Sequence, residues 1–285
     1  MKTVMVTGAN CSVAKDLIPR LEKHYNVIPI TRQNMNLLDS EAVDHFFDTN
    51  AVDYVINLAS NGGKRVQVDK PDYVYNNLLL FENLFDNRDR YKIMFSLGSG
   101  VECDSRRDIS RVRELSSNVT VPMGYYEFSK YMIRDKLIHQ SSNVVNLRIF
   151  SLFGKNEEDQ RFIKTSIQNY IDKKPIEIHQ NRVFDYFYEK DLFAVMKYYM
   201  DKYEEIHGHI PAKELNMVYY DKVDLVMVAM MINELSDYRV PINIQTEGEG
   251  KEYTGDGELL LDLGIPLDGL RVGIENIYKF LLEKK

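Results

Sequence analysis

The sequence has no tryptophan and only two cysteines, Cys11 and Cys103, among its 285 residues. Two cysteines are too few for a disulfide framework, and neither stands in a metal-ligand spacing, so a reducing compartment is expected. No run approaches the roughly 20 apolar residues of a membrane-spanning helix. The start, "MKTVMVTGAN", lacks the cleavage region of a signal peptide. We therefore expect a cytoplasmic protein with no membrane partner.

An excess of basic residues is also missing, because the formal net charge is −7. That balance argues against nucleic acid as the main partner. The hydrophobic content of 44% allows a sizeable core. Internal repeats and low-complexity segments are absent from the sequence. The length indicates one large α/β domain with a smaller C-terminal lobe.

What the sequence does contain is a regular alternation of apolar strands and amphipathic helices. Strands are predicted at 2–8, 26–32, 52–60, 91–99 and 143–154, with helices at 12–24, 39–49, 73–87 and from Tyr126 onward. Such alternation is typical of a Rossmann-like, doubly wound parallel sheet. We expect residues 1–154 to form a dinucleotide-binding domain. Residues 155–285 are predicted to be mainly a substrate lobe, with elements that return to the sheet.

The segment "VTGANCSVA" (6–14) connects the first strand to the first helix. At this place a dinucleotide fold turns its backbone toward the pyrophosphate, next to a helix N-terminus. Gly8 holds the first glycine position of the usual pattern and Ala14 the third, but Cys11 replaces the second glycine. The segment is therefore either a cofactor loop with one departure or a plain strand-to-helix turn.

The loop after the second strand, "ITRQN", has Thr31 and Arg32 where NAD enzymes of this fold commonly have an acid. A guanidinium at this position suits a 2′-phosphate. We therefore expect NADP(H) as the preferred cofactor and NAD(H) as the alternative. The competing interpretation is that Arg32 is a solvated loop residue.

The stretch "GYYEFSKYM" (124–132) places Tyr126 four residues before Lys130, on one face of a helix. With 19 tyrosines in the chain, this spacing also arises among ordinary helix residues. If the pair is catalytic, the lysine charge would stabilise the tyrosinate and lower the phenol pKa from its ordinary value of about 10.

With this pair in the helix between the fourth and fifth predicted strands, the chain resembles the extended short-chain dehydrogenase/reductase family, also called the NAD-dependent epimerase/dehydratase family. "TGANCSVA" looks like its cofactor loop, "NLAS" (57–60) like its Asn/His-x-Ala-Ala segment, and "LRIFSLFG" (147–154) like its Leu-Arg-x-x-Asn-x-Tyr-Gly strand end. The runs 36–47 and 70–85 are most similar to the GDP-L-fucose synthase type. Those enzymes reduce 4-keto-6-deoxy nucleotide sugars.

The resemblance implies roles for particular residues. Tyr126 would be the proton donor, Lys130 would also bind the nicotinamide ribose, and Ser99 in "FSLGSG" would orient the carbonyl, with Ser96 as the alternative serine. The implied cofactor contacts are Gly8, Asn10, Cys11, Ser12, Val13, Thr31, Arg32, Asp39, Leu58, Ala59, Tyr126, Lys130 and Phe150. No metal is implied. The helix "YYEFSKYMIRDKLIHQ" is expected to form a homodimer face, as in many relatives.

Departures from the fucose synthase pattern limit which reactions we expect. The cysteine and histidine that epimerise the sugar are replaced, by the alignment, with Val101 or Gly100 and with Arg161. Without that acid/base pair the predicted reaction is NADPH-dependent 4-keto reduction without C3/C5 epimerisation. The alternatives are an NAD-dependent 4-epimerase or dehydratase and a non-catalytic dinucleotide-binding sensor.

Ser151 and Phe153 replace the usual Asn and Tyr of the strand-end motif. The usual arginine before Asp185 is also missing, and this arginine often contacts the nucleotide phosphates in the family. Arg182 is the candidate to replace it. A nucleotide sugar is therefore the expected substrate, with its phosphate contacts altered.

Overall fold

The computed structural model describes residues 1–63, 68–116, 120–140, 142–206 and 208–285. In chain order, the strands are β1 Thr3–Thr7, β2 Asn26–Ile30, β3 Tyr54–Asn57, β4 Ile93–Ser99, β5 Ile109–Val112, β6 Val144–Ile149, β7 Leu152–Phe153, β8 Ile176–Asn181, β9 Phe187–Tyr188, β10 Glu214–Met217, β11 Ile242–Glu249 and β12 Tyr253–Gly255. The helices are α1 Ser12–Leu21, α2 Ser40–Thr49, α3 Asp72–Asp86, α4 Tyr125–His139, α5 Phe162–Ile171, α6 Glu189–Glu205, α7 Leu225–Asn233, α8 Glu258–Asp262 and α9 Gly269–Glu283.

Six strands form a parallel sheet in the order β10-β6-β4-β3-β1-β2. The chain moves outward from β1 to β2 in one direction and from β1 to β3 in the other. In doubly wound sheets this reversal opens a crevice at the carboxyl ends of the strands, and ligands bind there. The predicted Rossmann-like architecture is confirmed.

Both faces of the sheet are covered by helices, which is why its strands read as continuous apolar runs. Val4 and Val6 of β1 point into a core shared with α1 and α6. Met5, between them, points into a second core formed with α2, α3 and α4. The alternation of side chains along β1 thus supplies both layers.

The C-terminal half has its own apolar core, built from α5, α7, α9 and β8. It also contributes to the first half, because β10 pairs with β6 and α6 packs on the sheet. The division at residue 154 stays a prediction. No helix among the described residues is long and apolar enough to cross a bilayer.

Several details differ from the sequence prediction. The strand predicted at 143–154 is divided into β6 and β7, and β7 pairs with β9 outside the six-stranded sheet. Helix α1 ends at Leu21 rather than at residue 24, with Pro19 inside its last turn. Strand β5 is not indicated by the sequence pattern, and it forms because β12 pairs with it from 144 residues further along the chain, with Tyr253 opposite Ile109. Such long-range pairing leaves little local signal.

Candidate active site

The loop between β1 and α1 lies directly against the end of β3. Gly8 adopts a φ of 63°, and a Cβ there would lie 2.9 Å from the backbone nitrogen of Ala59 and from the carbonyl carbon of Leu58. A side chain is excluded by both the conformation and the contact. The structure therefore brings Gly8, Leu58 and Ala59 together at the crevice. This bare backbone fits a dinucleotide diphosphate at the start of α1.

Cys11, which replaces the second glycine of the usual loop pattern, is the N-cap of α1. Its Sγ accepts a hydrogen bond from the Ala14 amide at 3.4 Å, and its own amide donates to the Gly8 carbonyl at 2.9 Å. With φ at −73° it needs none of the conformational freedom of glycine. Asn10 and Ser12, beside it, are exposed and Val13 is half-buried. The cysteine thus retains the turn while adding a side chain to it.

Arg32 extends from the end of β2 to the loop after β3. Its guanidinium donates a hydrogen bond to Oδ1 of Asn61 at 2.8 Å. Since Asn61 is neutral, this contact fixes the arginine without cancelling its charge. Arg32 is exposed and stays available to an anion.

Two other predicted cofactor residues form hydrogen bonds with residues three positions further along the chain. Thr31 donates its amide to Oδ1 of Asn34 at 2.7 Å. Asp39 is the N-cap of α2 and accepts a hydrogen bond from the Ala42 amide at 3.2 Å. A cofactor contact from the Asp39 carboxylate would have to compete with this cap. The roles of Thr31 and Asp39 stay predictions.

Ser99, Tyr126 and Lys130 meet where β4 ends and α4 begins. The Ser99 hydroxyl lies within hydrogen-bonding reach of the Tyr126 phenol. Nζ of Lys130 lies 5.6 Å from the centroid of the Tyr126 ring and donates to the Leu97 carbonyl at 2.6 Å. Ser96 lies inside the sheet three residues earlier, so its side chain leaves β4 on the opposite face. The structure groups Ser99, and not Ser96, with the tyrosine.

Burial controls the protonation of this group. It raises the pKa of Tyr126 to about 12, while the Ser99 hydroxyl and the Arg161 charge act in the other direction. Burial also lowers the pKa of Lys130 to about 8, against the attraction of Glu102. At neutral pH the phenol is therefore a proton donor, and most of the lysine is charged.

We expect the free energy of unfolding of the wild type, relative to Lys130→Met, to rise with pH above 8. The buried ammonium has its pKa depressed from 10.5 to about 8. The unfolded chain therefore binds the extra proton in this window, and the burial penalty disappears as pH rises. Urea denaturation should show a gain on the order of 2 kcal/mol between pH 8 and pH 10 and a flat difference below pH 7. The same comparison with Lys15→Met, at an exposed lysine, should be flat throughout.

Sequence reasoning missed Glu102, which fixes the Ser99 loop. Its Oε1 accepts a hydrogen bond from the Ser99 amide at 2.8 Å, and Oγ of Ser99 accepts one from the Val101 amide at 3.5 Å. This reciprocal arrangement is a capping box around the 3-10 turn Gly100–Cys103. The Ser-x-x-Glu spacing is its sequence signature and would have revealed it.

Glu102 also connects the serine loop to a buried set of charges. Its Oε2 accepts from Nε of Arg148 at 3.1 Å, and Arg148 is fully buried. Arg148 further donates to Oδ1 of Asn216 at 2.9 Å and pairs with Glu214. Arg134 of α4 donates to the same Glu214 at 2.6 Å. Strands β4, β6 and β10 are thus joined beneath the site to the helix that bears Tyr126 and Lys130.

A second missed residue, Tyr253, comes from the C-terminal half. A Cβ on Gly100 would lie 2.7 Å from the Tyr253 hydroxyl and 2.6 Å from Cδ1 of Phe150. The rings of Tyr253 and Phe150 are 5.1 Å apart. Phe150, a predicted cofactor residue, is therefore placed beside the Ser99 loop. Nothing in the sequence around Tyr253 indicates this position.

A family model, the NAD dependent epimerase/dehydratase family, matches residues 4–211. The chain belongs to this family. The expectation of an NAD(P)-dependent oxidoreductase is confirmed by this match together with the Rossmann-like fold. A comparison with curated protein sequences gives no match.

Solved structures of the family share the fold over almost the entire chain. A GDP-mannoheptose C4 reductase from Campylobacter jejuni with NADP bound has a TM-score of 0.73 at 18% identity, covering 99% of this chain and 98% of its own. A GDP-L-fucose synthetase from Naegleria fowleri bound to NADP has a TM-score of 0.75 at 14% identity, covering 99% and 93%. A UDP-glucose 4-epimerase from Thermotoga maritima has a TM-score of 0.76 at 15% identity, covering 99% of each chain.

Within the family fold, the replaced epimerisation residues lie around the tyrosine. Val101 belongs to the turn after Ser99, and the charge of Arg161 acts on Tyr126. Cys103, nearby in sequence, packs with Ile109 and Phe150, and burial raises the pKa of its thiol. A buried thiol and a guanidinium are both poor proton acceptors.

Proposed function

We propose that the protein is an NADPH-dependent reductase of the 4-keto group of a nucleotide-activated 6-deoxy sugar, without C3/C5 epimerisation. The observation that carries this proposal is the grouping of Ser99, Tyr126 and Lys130 beside the Gly8 loop. The similarity in fold to a C4 reductase and a fucose synthetase, both with NADP bound, agrees with it.

In the proposed reaction the Tyr126 phenol donates its proton to the carbonyl oxygen as that oxygen gains charge. Ser99 donates a hydrogen bond to the same oxygen, and its position is fixed by Glu102. The ammonium of Lys130 stabilises the tyrosinate left behind. The reduced nicotinamide, when bound, supplies the hydride to the carbonyl carbon. The product is the alcohol.

The absence of epimerisation follows from the groups around the sugar. Removing a proton next to the carbonyl requires a base, and a guanidinium stays protonated in proteins. Arg161 therefore cannot act as the base that the histidine provides in fucose synthases, and Val101 has no titratable group. The Arg161 charge instead favours the tyrosinate form of Tyr126.

A nucleotide diphosphate would extend outward from the keto sugar along a row of aromatic rings. The ring of Phe184 lies 5.2 Å from that of Tyr253, and the Arg182 guanidinium lies 4.7 Å from the Phe184 centroid. We propose that Arg182 binds the diphosphate in place of the missing arginine before Asp185. Residues 155–285 then supply most of the substrate side.

A homodimer through α3 and α4 is part of the same proposal. Tyr75 of α3 is 67% exposed, and Tyr125 and Met132 of α4 are 43% and 37% exposed. Large apolar side chains on neighbouring helices are a typical interface feature.

We propose that the enzyme acts in the cytoplasm, where nucleotide sugars are made.

A panel of GDP-, UDP- and dTDP-linked 4-keto-6-deoxy sugars with NADPH tests the function. We expect loss of nicotinamide absorbance with one nucleotide series and a single alcohol product by NMR, with the neighbouring stereocentres unchanged. Native protein should carry no bound dinucleotide. Co-purified NAD(H), with interconversion of a hydroxyl epimer and no net oxidation of NADPH, would instead show a 4-epimerase.

Arg32→Ala should weaken NADPH binding by about 10- to 100-fold and leave NADH binding within about two-fold. The difference is the charge-assisted contact to the 2′-phosphate, typically about 1.5–3 kcal/mol. Titration of both cofactors by nicotinamide fluorescence measures it. Arg113→Ala, whose side chain is 77% exposed, is the matched control. Equal losses for the two cofactors would contradict the assignment of Arg32.

A further inference from the structure

Tyr253 is a half-buried titratable group beside the site that the proposed chemistry does not use. Its hydroxyl approaches the Ser99–Gly100 backbone so closely that any side chain on Gly100 would collide with it. The Ser99 hydroxyl lowers the pKa of Tyr253 as a hydrogen-bond partner, as it does that of Tyr126. The serine is therefore flanked by two phenols, one from each half of the chain.

The position of Tyr253 is fixed by its backbone and by its ring. Its amide donates to the Val183 carbonyl and its carbonyl accepts from the Asp185 amide, both at 3.1 Å. The Asp185 carboxylate in turn accepts from the Gly255 amide at 2.8 Å and pairs with Lys222. The ring packs between Phe150 and Phe184 at 5.1 and 5.2 Å. Two backbone hydrogen bonds and two ring contacts thus hold Tyr253 with its hydroxyl beside the Ser99–Gly100 backbone.

A hydroxyl enclosed by aromatic rings is costly unless it forms a hydrogen bond. Burial raises the pKa of Tyr253, against the hydrogen bond of the Ser99 hydroxyl, which lowers it, and a tyrosinate at Tyr126 raises it again. Tyr253 therefore keeps its proton when Tyr126 gives up its own. Of the two phenols beside Ser99, it is the one suited to remain a donor throughout a reaction.

The Ser99 hydroxyl can form further hydrogen bonds. Its amide donates to Glu102, and its Oγ accepts a long contact of 3.5 Å from the Val101 amide. A hydroxyl oxygen can accept two hydrogen bonds and donate one. If Oγ accepts from Tyr253, the proton of Ser99 is left to point toward Tyr126, where the carbonyl oxygen would sit.

We propose that Tyr253 is a positioning residue that donates a hydrogen bond to Oγ of Ser99 and thereby directs the serine proton at the substrate carbonyl oxygen. This inference rests on the proposed ketoreductase function. It adds a member from the C-terminal half to the Ser99, Tyr126 and Lys130 group. The site is then complete only when β12 is in place.

Tyr253→Phe tests the proposal, because it removes the hydroxyl and keeps the ring between Phe150 and Phe184. With the panel sugar that wild type reduces fastest, kcat should fall about 10-fold, the worth of one neutral hydrogen bond. KM values for sugar and NADPH should change less than about two-fold. Tyr220→Phe, at a tyrosine that is 49% exposed, should match wild type.

The decisive comparison is made with Ser99→Ala, which should lower kcat about 100-fold or more. If Tyr253 acts through Ser99, the double variant Ser99→Ala/Tyr253→Phe should be no slower than Ser99→Ala alone. A full additional 10-fold loss in the double variant would overturn the proposal, since it would show a separate effect of Tyr253.

A second readout needs no turnover. In protein labelled with [13Cζ]tyrosine, the Tyr126 resonance is assigned by its loss in Tyr126→Phe. It should move in Tyr253→Phe and in Ser99→Ala, and the double variant should match Ser99→Ala. A Tyr126 resonance unchanged by Tyr253→Phe would overturn the proposal. If wild type reduces no sugar of the panel, the proposed function fails, and this NMR comparison still decides the role of Tyr253.

Discussion

Tyr126→Phe should lower kcat for keto-sugar reduction about 1000-fold, within the range typical of a lost general acid. The phenol lies with both Ser99 and Lys130 and is protonated at neutral pH. The ring also packs against Gly63, where a Cβ would lie 2.9 Å from Cζ of Tyr126. Phenylalanine keeps this ring contact, so the fold and the Kd for NADPH should be nearly unchanged. Stopped-flow turnover and fluorescence titration measure the two quantities.

Tyr125→Phe is the matched control for this variant. It changes the neighbouring tyrosine of the same helix, which is 43% exposed, and it should keep wild-type kcat. Residual activity of Tyr126→Phe should also lose the pH dependence that comes from the phenol. A fall of less than about 10-fold would show that another group protonates the product, and the assignment of Tyr126 would be wrong.

Most of the fold can be predicted from the sequence because the signals that specify it are local. The buried strands of the sheet are apolar runs, and the helices between them repeat at helical spacing. Gly8 is recognisable by its place after β1, and Tyr126 and Lys130 by their spacing in α4, the helix that follows β4. Each of these signals lies within a few residues of the feature that it predicts.

The parts that escaped prediction depend on distant segments. Tyr253 reaches Gly100 only because β12 pairs with β5, and no short pattern encodes that pairing. Arg32 finds Asn61 across the crevice, which the sequence shows only as two unrelated polar residues. The sequence also leaves Ser96 and Ser99 as alternatives. The position at which β4 ends determines which serine side chain lies beside Tyr126, and the sequence does not fix that position.

The buried charges beneath the site show the same dependence on long-range contacts. Glu102, Arg148, Arg134 and Glu214 belong to four separate elements and are each less than 10% exposed. Removing water from a charge is costly, and each of these ions depends on its partners to offset that cost. The set therefore specifies how β4, β6, β10 and α4 meet, and it holds the loop that orients Ser99.

Arg148→Met should lower the free energy of unfolding by about 3–5 kcal/mol, the usual cost of leaving a buried partner uncompensated. Methionine fills much of the same volume, so the loss comes from the charges of Glu102 and Glu214 rather than from a cavity. Urea denaturation at pH 7.5 measures it. Arg113→Met, which removes an exposed ion pair with Asp256, should cost less than about 1 kcal/mol.

The pH dependence of this loss separates charge from packing. In the wild type, burial raises the pKa of Glu102 and the Arg148 charge acts against it, so removal of the guanidinium should raise this pKa further above its value in the unfolded chain. The folded variant therefore binds protons that the unfolded chain does not, and its stability relative to wild type should improve as pH falls from 7.5 toward 5. A difference that stays constant over this range would mean that Arg148 acts by packing alone. A difference that shrinks would show that Ser99 is supported by a charge balance assembled from both halves of the chain.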